Sequence, residues 1–178
     1  MATSNDTPKP GSKSATASAI RDAVGGAVGK VVASVAITRD LFSANAAIAT
    51  MYEIAAAKIA LQRSRREDIK QFAQRIIAEH EKANSELRSF LGATNSPQSP
   101  PESLDVLHQT LIDDLNGASD ESFDGRYIAQ QRSALSGAVT LFKTYHQTGR
   151  DDGLRNLAGL ALPVLEHQVE MLSKIDTG

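Results

Sequence analysis

Residues 64–92 constrain what this chain can fold into more than any other stretch. Ser64-Arg65-Arg66-Glu67 has the form of a capping box, in which a serine hydroxyl accepts from the third helical amide while the glutamate reaches back to the cap. Beyond it, positions 69, 72, 73, 76, 77, 80, 83, 84, 87, 90 and 91 recur at helical spacing, and Gly92 closes the run. The pattern predicts one amphipathic helix starting near residue 65, and a stripe of that length needs partners of similar length to bury it. The stripe is apolar except at His80 and Asn84, so an imidazole stands where a leucine would pack better.

Three further segments carry matching stripes. From about Arg39 to Gln62 the inward positions are Phe42, Asn45, Ile48, Ala49, Tyr52, Glu53, Ala56, Ile59 and Ala60. From about Ser122 to Gln147 they are Phe123, Tyr127, Gln131, Ala134, Leu135, Ala138, Leu141, Phe142 and Tyr145, ended by Gly149. From about Asp152 to Lys174 they are Leu154, Leu157, Ala158, Ala161, Val164, Leu165, Gln168, Met171, Leu172 and Ile175, with Pro163 expected to bend the helix because it lacks an amide. A short helix over roughly 101–116 is predicted between the second and third long ones, opened by Ser99-Pro100-Pro101-Glu102 and closed at Gly117. No alternating strand pattern competes anywhere.

The fold expected is all-α: a ferritin-like four-helix bundle with a short extra helix in a long crossover. The link between the second and third long helices runs to about 30 residues, enough to return along the bundle and leave those two helices parallel. The bundle domain should occupy 39–176. Residues 1–17 are polar and rich in Ser, Thr, Pro and Lys, and read as a disordered tail because they have little to bury. Residues 18–38 are rich in glycine and alanine and read as an N-terminal helix or an extension of the first helix. Their apolar core, residues 23–37, contains Lys30 and falls short of the ~20 residues a bilayer span needs. Gly25 and Gly29 would allow close helix approach in a membrane or an oligomer, but loose packing beside the first helix is the favoured reading over membrane contact. Ser34-Val35-Ala36 fits a cleavage pattern, yet the preceding run is glycine-rich and starts late, which points away from a secretory signal and toward the cytoplasm.

Composition narrows the function classes. A formal net charge of −2 and no broad basic face argue against a nucleic-acid partner. The absence of cysteine excludes disulfides, thiolate metal sites and cysteine nucleophiles. No nucleophile with an adjacent base, phosphate loop or nucleotide fingerprint is present. With 4% aromatic residues and no tryptophan, the core must rest on Ala, Leu, Ile and Val. The tight basic cluster of Arg63, Arg65 and Arg66 falls at a helix–helix turn and reads as a solvated corner rather than an anion or lipid site.

Each long helix places a strongly polar residue on or beside its stripe: Glu53, His80, Gln131 and His167. Glu53, His80 and His167 lie near their helix midpoints, so they should meet in the central layers. The favoured reading is a hydrogen-bonded polar cluster in which His80 packs beside Glu53, with no cofactor. The alternative is a single iron, manganese or zinc ion held by Glu53, His80 and His167, with Glu79 and Glu166 as supporting or additional ligands. The paired Glu-x-x-His motifs of di-iron bundles are missing, and Asp105-Val106-Leu107-His108 has the spacing but reads as surface.

From about Leu41 to Ile175 the chain resembles the ferritin-like domain of unknown function numbered 4142, found mainly in bacteria and often in exported proteins. The matching elements are Phe42 with Ala46, Tyr52-Glu53-Ile54, Phe72-Ala73 followed by Glu79-His80 and Asn84, Phe123-Asp124 with Tyr127, Ala138-Val139 with Leu141-Phe142, and Leu162-Pro163 with His167. The resemblance implies a four-helix ferritin-like fold whose acid and histidines face inward, a bacterial stress or envelope setting, and a periplasmic or exported location. It implies no established activity. Where the family carries an Asp-His pair in the third long helix, this chain has Ala134-Leu135, which removes one inward histidine. The expectation is a non-enzymatic structural or interaction protein, working through an unknown protein partner or self-association. A metal-binding or redox protein with an incomplete intrabundle site is the alternative.

Overall fold

The computed structural model describes residues 37–94 and 99–176. Within them the chain is all-α, with five helices and no strand: α1 (Arg39–Arg63), α2 (Glu67–Ala93), α3 (Val106–Gly117), α4 (Asp120–Thr148) and α5 (Asp152–Asp176). The N-terminal tail and nearly all of the 18–38 segment lie outside the described residues. No helix among the described residues is long and apolar enough to cross a membrane.

Two helix starts differ from their sequence signals. Ser64 is not the cap of α2: its own amide donates to Ala60 O at 2.9 Å, ending α1, and its hydroxyl accepts from Arg66 N at 3.1 Å. The three-residue turn is therefore tighter than a capping box allows, and α2 begins at Glu67 with no side-chain cap. The short helix likewise starts at Val106 instead of the prolines, because the Asp105 carboxylate accepts from His108 N at 2.8 Å and caps it there. Pro163 lies in a continuous α5, its side chain exposed.

Contacts between side chains give the directions of the helices. Phe42 near the start of α1 stacks on Tyr145 near the end of α4, with ring centroids 4.0 Å apart, while Arg63 at the end of α1 lies 4.7 Å from the ring of Phe123 at the start of α4. Those helices are antiparallel. Arg66, at the head of α2, donates to Ile175 O near the tail of α5 at 3.0 Å, so that pair is antiparallel too. Three-residue connections (64–66 and 149–151) make α1–α2 and α4–α5 antiparallel hairpins, leaving α2 and α4 parallel as the long crossover predicts. The core has two parts. Tyr52, Ile69, Ile76, Leu115, Phe123, Tyr127 and Leu135 sit in one, and Phe42, Leu91, Tyr145 and Leu154 in the other.

The basic corner is also different from its sequence reading. Arg63 donates to Leu115 O at 2.6 Å, Asn116 O at 3.1 Å and Ala118 O at 2.6 Å, so its guanidinium satisfies the carbonyls that the end of α3 leaves open. Arg66 pairs with Asp68 and reaches Ile175 O, while Arg65 stays in solvent beside Asp120. Arg63 thus fastens α1 to the end of α3 and the start of α4, and Arg66 fastens the head of α2 to the tail of α5.

Candidate functional site

The interior carries polar residues at one level of the four long helices. Tyr52 donates its hydroxyl to Gln130 Oε1 at 2.8 Å, which fixes α1 against α4 and brings the next residue of each, Glu53 and Gln131, side by side inside. On the other side of the core His80 Nε2 lies 3.4 Å from Gln168 Oε1, joining α2 to α5. The two pairs share a level. His146 Nδ1 is 2.9 Å from Arg155 O across the α4–α5 turn, and equal steps from that contact bring Gln131 level with residue 170, within one helical turn of Gln168. The observed layer is thus Glu53, His80, Gln131 and Gln168, one from each long helix and all buried.

His167 does not belong to it. Its side chain is 46% exposed, 3.9 Å from Glu170 at the surface, and Glu166 beside it is exposed as well. The reason is helical phase: Leu154, Ala158, Leu165 and Leu172 set the buried face of α5, and position 168 lies within it while 166 and 167 do not. The sequence signal for Gln168 was present, since it occupies the apolar stripe itself; a histidine one residue away drew the chemical reading instead. Glu79 sits at the edge, as its neighbouring position implies. Its carboxylate accepts from Arg75 Nε at 2.7 Å and from Gln168 Nε2 at 2.7 Å.

This network sets the state of His80. Gln168 spends its amide on Glu79, so only its carbonyl faces the imidazole, and Nε2 must carry the proton. Nδ1 is left as a buried lone pair without a partner. Burial also holds the His80 pKa below its ordinary value, against the opposing influence of Gln168 and Glu79, so the ring is neutral near pH 7.

Glu53 is the other unusual group. Neither carboxylate oxygen has a hydrogen-bond partner, so the expected bond to His80 is not made: each residue of that pair turns to a different helix. Desolvation pushes the carboxyl up to about 8, with the Gln131 side chain pulling in the other direction, so Glu53 is a neutral acid at pH 7. The Tyr127 hydroxyl and both polar atoms of Gln131 are likewise buried without partners. Burial, reinforced by Glu53, keeps the Tyr127 hydroxyl protonated.

Leu135, one turn beyond Gln131, is fully buried in the same core. Ligand-type groups inside the layer therefore reduce to Glu53 and the Nδ1 of His80. Among the described residues, no three His, Asp or Glu side chains come together as a metal-holding group. The donor set does not fit the closed, four-coordinate shell of a structural ion. What the layer can do chemically is hold one proton on a carboxyl shut off from solvent.

The chain belongs to the family described as a domain of unknown function (DUF4142), whose model matches residues 30–175. No curated protein and no solved structure gave a significant match.

Proposed function

We propose that this chain is a non-enzymatic, ferritin-like four-helix bundle that acts as a structural or interaction protein, through a protein partner or self-association. The observation that carries the reading is the divergence of the ligand-type side chains. His167 and Glu166 lie on the outer surface, Glu79 is held by Arg75 and Gln168, and Leu135 fills the core where relatives are expected to place a histidine. The pairwise antiparallel long helices, with α2 parallel to α4, favour the single-crossover ferritin-like arrangement. A bacterial stress or envelope setting rests on the family resemblance.

A second reading has one observation in its favour. Both Glu53 oxygens and His80 Nδ1 are buried donor atoms with no hydrogen-bond partner, so a metal ion completed by non-protein ligands would find two protein donors there. Metal content separates the readings. The protein is purified without a metal-binding tag, offered Fe(II), Mn(II) and Zn(II), and compared with His80→Ala. Absence of stoichiometric metal and of thermal stabilisation in the wild type is the expected result. Stoichiometric metal that disappears with His80 would overturn the proposal.

A further inference from the structure

α1 differs from the other long helices in having almost no charge on its outer face. From Leu41 to Ala57 its one charged residue is Glu53, and that is buried. The side turned to the core carries Phe42, Ala46, Glu53, Ala57 and Ala60. At about 100° per residue, Ala44, Ile48, Met51 and Ala55 form a narrow stripe on the opposite bearing, where a surface helix ordinarily carries charged and polar residues. All four are only half-buried, and Ala44, Ile48 and Met51 belong to neither part of the core. Leu41 beside them is 42% exposed. Asn45, at the edge of the stripe, donates its amide to Leu41 O at 2.7 Å and so spends it on its own helix. An uncharged apolar stripe of this length marks a surface for a protein partner.

The order of residues along the stripe selects the partner. Asp40 and Lys58 close it at its two ends, both exposed and five full turns apart, so they share one bearing. The stripe reads nearly the same in both directions about a point between Ala49 and Thr50. Ala44 and Ala55 are equally distant from that point, as are Ile48 and Met51. A second copy of α1 laid antiparallel across it sets Ala44 against Ala55, Ile48 against Met51, and Asp40 within one residue's rise of Lys58. Small side chains then meet small ones, the two large ones meet beside the axis, and opposite charges meet at each end. A parallel pairing would instead set Asp40 beside Asp40 and Lys58 beside Lys58, which like-charge repulsion disfavours.

We propose that α1 is the face through which two copies of this chain pair, antiparallel about a two-fold axis at Ala49 and Thr50. The inference rests on the structural or interaction reading above and names the partner as a second copy. A face about 30 Å long and about 10 Å wide is small for a stable complex, so the dimer is weak and dissociates in the micromolar range.

Analytical ultracentrifugation of the full-length chain, from about 1 to about 500 µM, should show a reversible monomer–dimer equilibrium. Ile48→Glu is expected to weaken it at least about tenfold, whereas Leu160→Glu, at an exposed residue of α5, should leave it unchanged. At low salt Asp40→Lys should weaken the dimer several-fold, and Asp40→Lys/Lys58→Asp should restore it, because the exchanged charges still meet. The charge exchange leaves the core untouched, so it decides the matter even where Ile48→Glu fails to fold. A monomer throughout the range would overturn the proposal. So would a dimer that Leu160→Glu disrupts, or one that the double exchange does not restore. Metal content of the same samples keeps the two readings apart. A metal-free monomer would overturn the pairing and leave the structural or interaction reading standing, while stoichiometric metal would overturn that reading in monomer and dimer alike.

Discussion

Glu53 is wholly buried in α1 and neither of its oxygens is paired, so its cost depends on its charge. The folded chain keeps the proton up to about pH 8, whereas the unfolded chain releases it near 4.5. Below pH 4.5 both states are protonated and the group adds no pH dependence. As pH rises from 4.5 to 8 the unfolded state gains by ionising and the folded state does not, so stability falls and then levels off. Between pH 5 and 7 this loss is on the order of 2–3 kcal/mol. Glu53→Gln keeps the shape and removes the titration. Urea unfolding at pH 5, 6, 7 and 8 should show the wild type losing stability steadily relative to the variant, in which the His80 contribution is the same; parallel curves would mean that Glu53 ionises in the folded state. His80 acts over the acid part of the same range and in the opposite direction. Its depressed pKa means that acidification below about 6.5 protonates the unfolded chain first and weakens the fold.

At the scale of elements, the register of α5 decides which polar residue is structural. Gln168 is fully buried and joins His80 to Glu79, while His167 is exposed beside Glu170. Gln168→Ala should cost about 2–4 kcal/mol, because it opens a cavity and strands the His80 Nε2 donor, and His167→Ala should stay within about 0.5 kcal/mol. Chemical denaturation of the two variants at one pH measures the difference, and equal losses would refute the register. Arg63 decides how α3 is held. Three α3-end carbonyls and an aromatic face receive one planar guanidinium, an arrangement that a lysine ammonium cannot copy. Arg63→Lys should therefore cost about 1–3 kcal/mol despite conserving charge, and hydrogen exchange should quicken in α3 before it does in α1 or α2. These two elements also show where sequence reading stops. Helical period gave the long helices nearly to the residue, since burial imposes it on many positions at once. The end of α1 and the start of α3 turn on single hydrogen bonds, Ser64 N to Ala60 O and His108 N to the Asp105 carboxylate, and several residues nearby offer equivalent signals. The role of Arg63 depends on a contact some fifty residues away, which no local pattern records.

For the molecule as a whole, the central layer was legible as a level but not as a set of bonds. Glu53, His80 and Gln131 lie inside as their stripes require, whereas the partner of each is chosen by how four helices come together. The same assembly gives Leu135 its meaning. It is fully buried one turn from Gln131, on the helix whose neighbour α5 carries the partner of His80. A histidine there would add a third ligand-type group to Glu53 and the free Nδ1 of His80, bringing the interior closer to a site that can close around an ion. Leu135→His should accordingly raise zinc affinity at least tenfold over wild type, measured by competition with a chromogenic chelator at pH 7.5, and the gain should vanish when His80→Ala is added. The substitution also places a polar ring in the core, so the apo variant should melt lower than wild type and recover on adding zinc. Loss of stability without that recovery would show that position 135 does not face the layer closely enough to complete it.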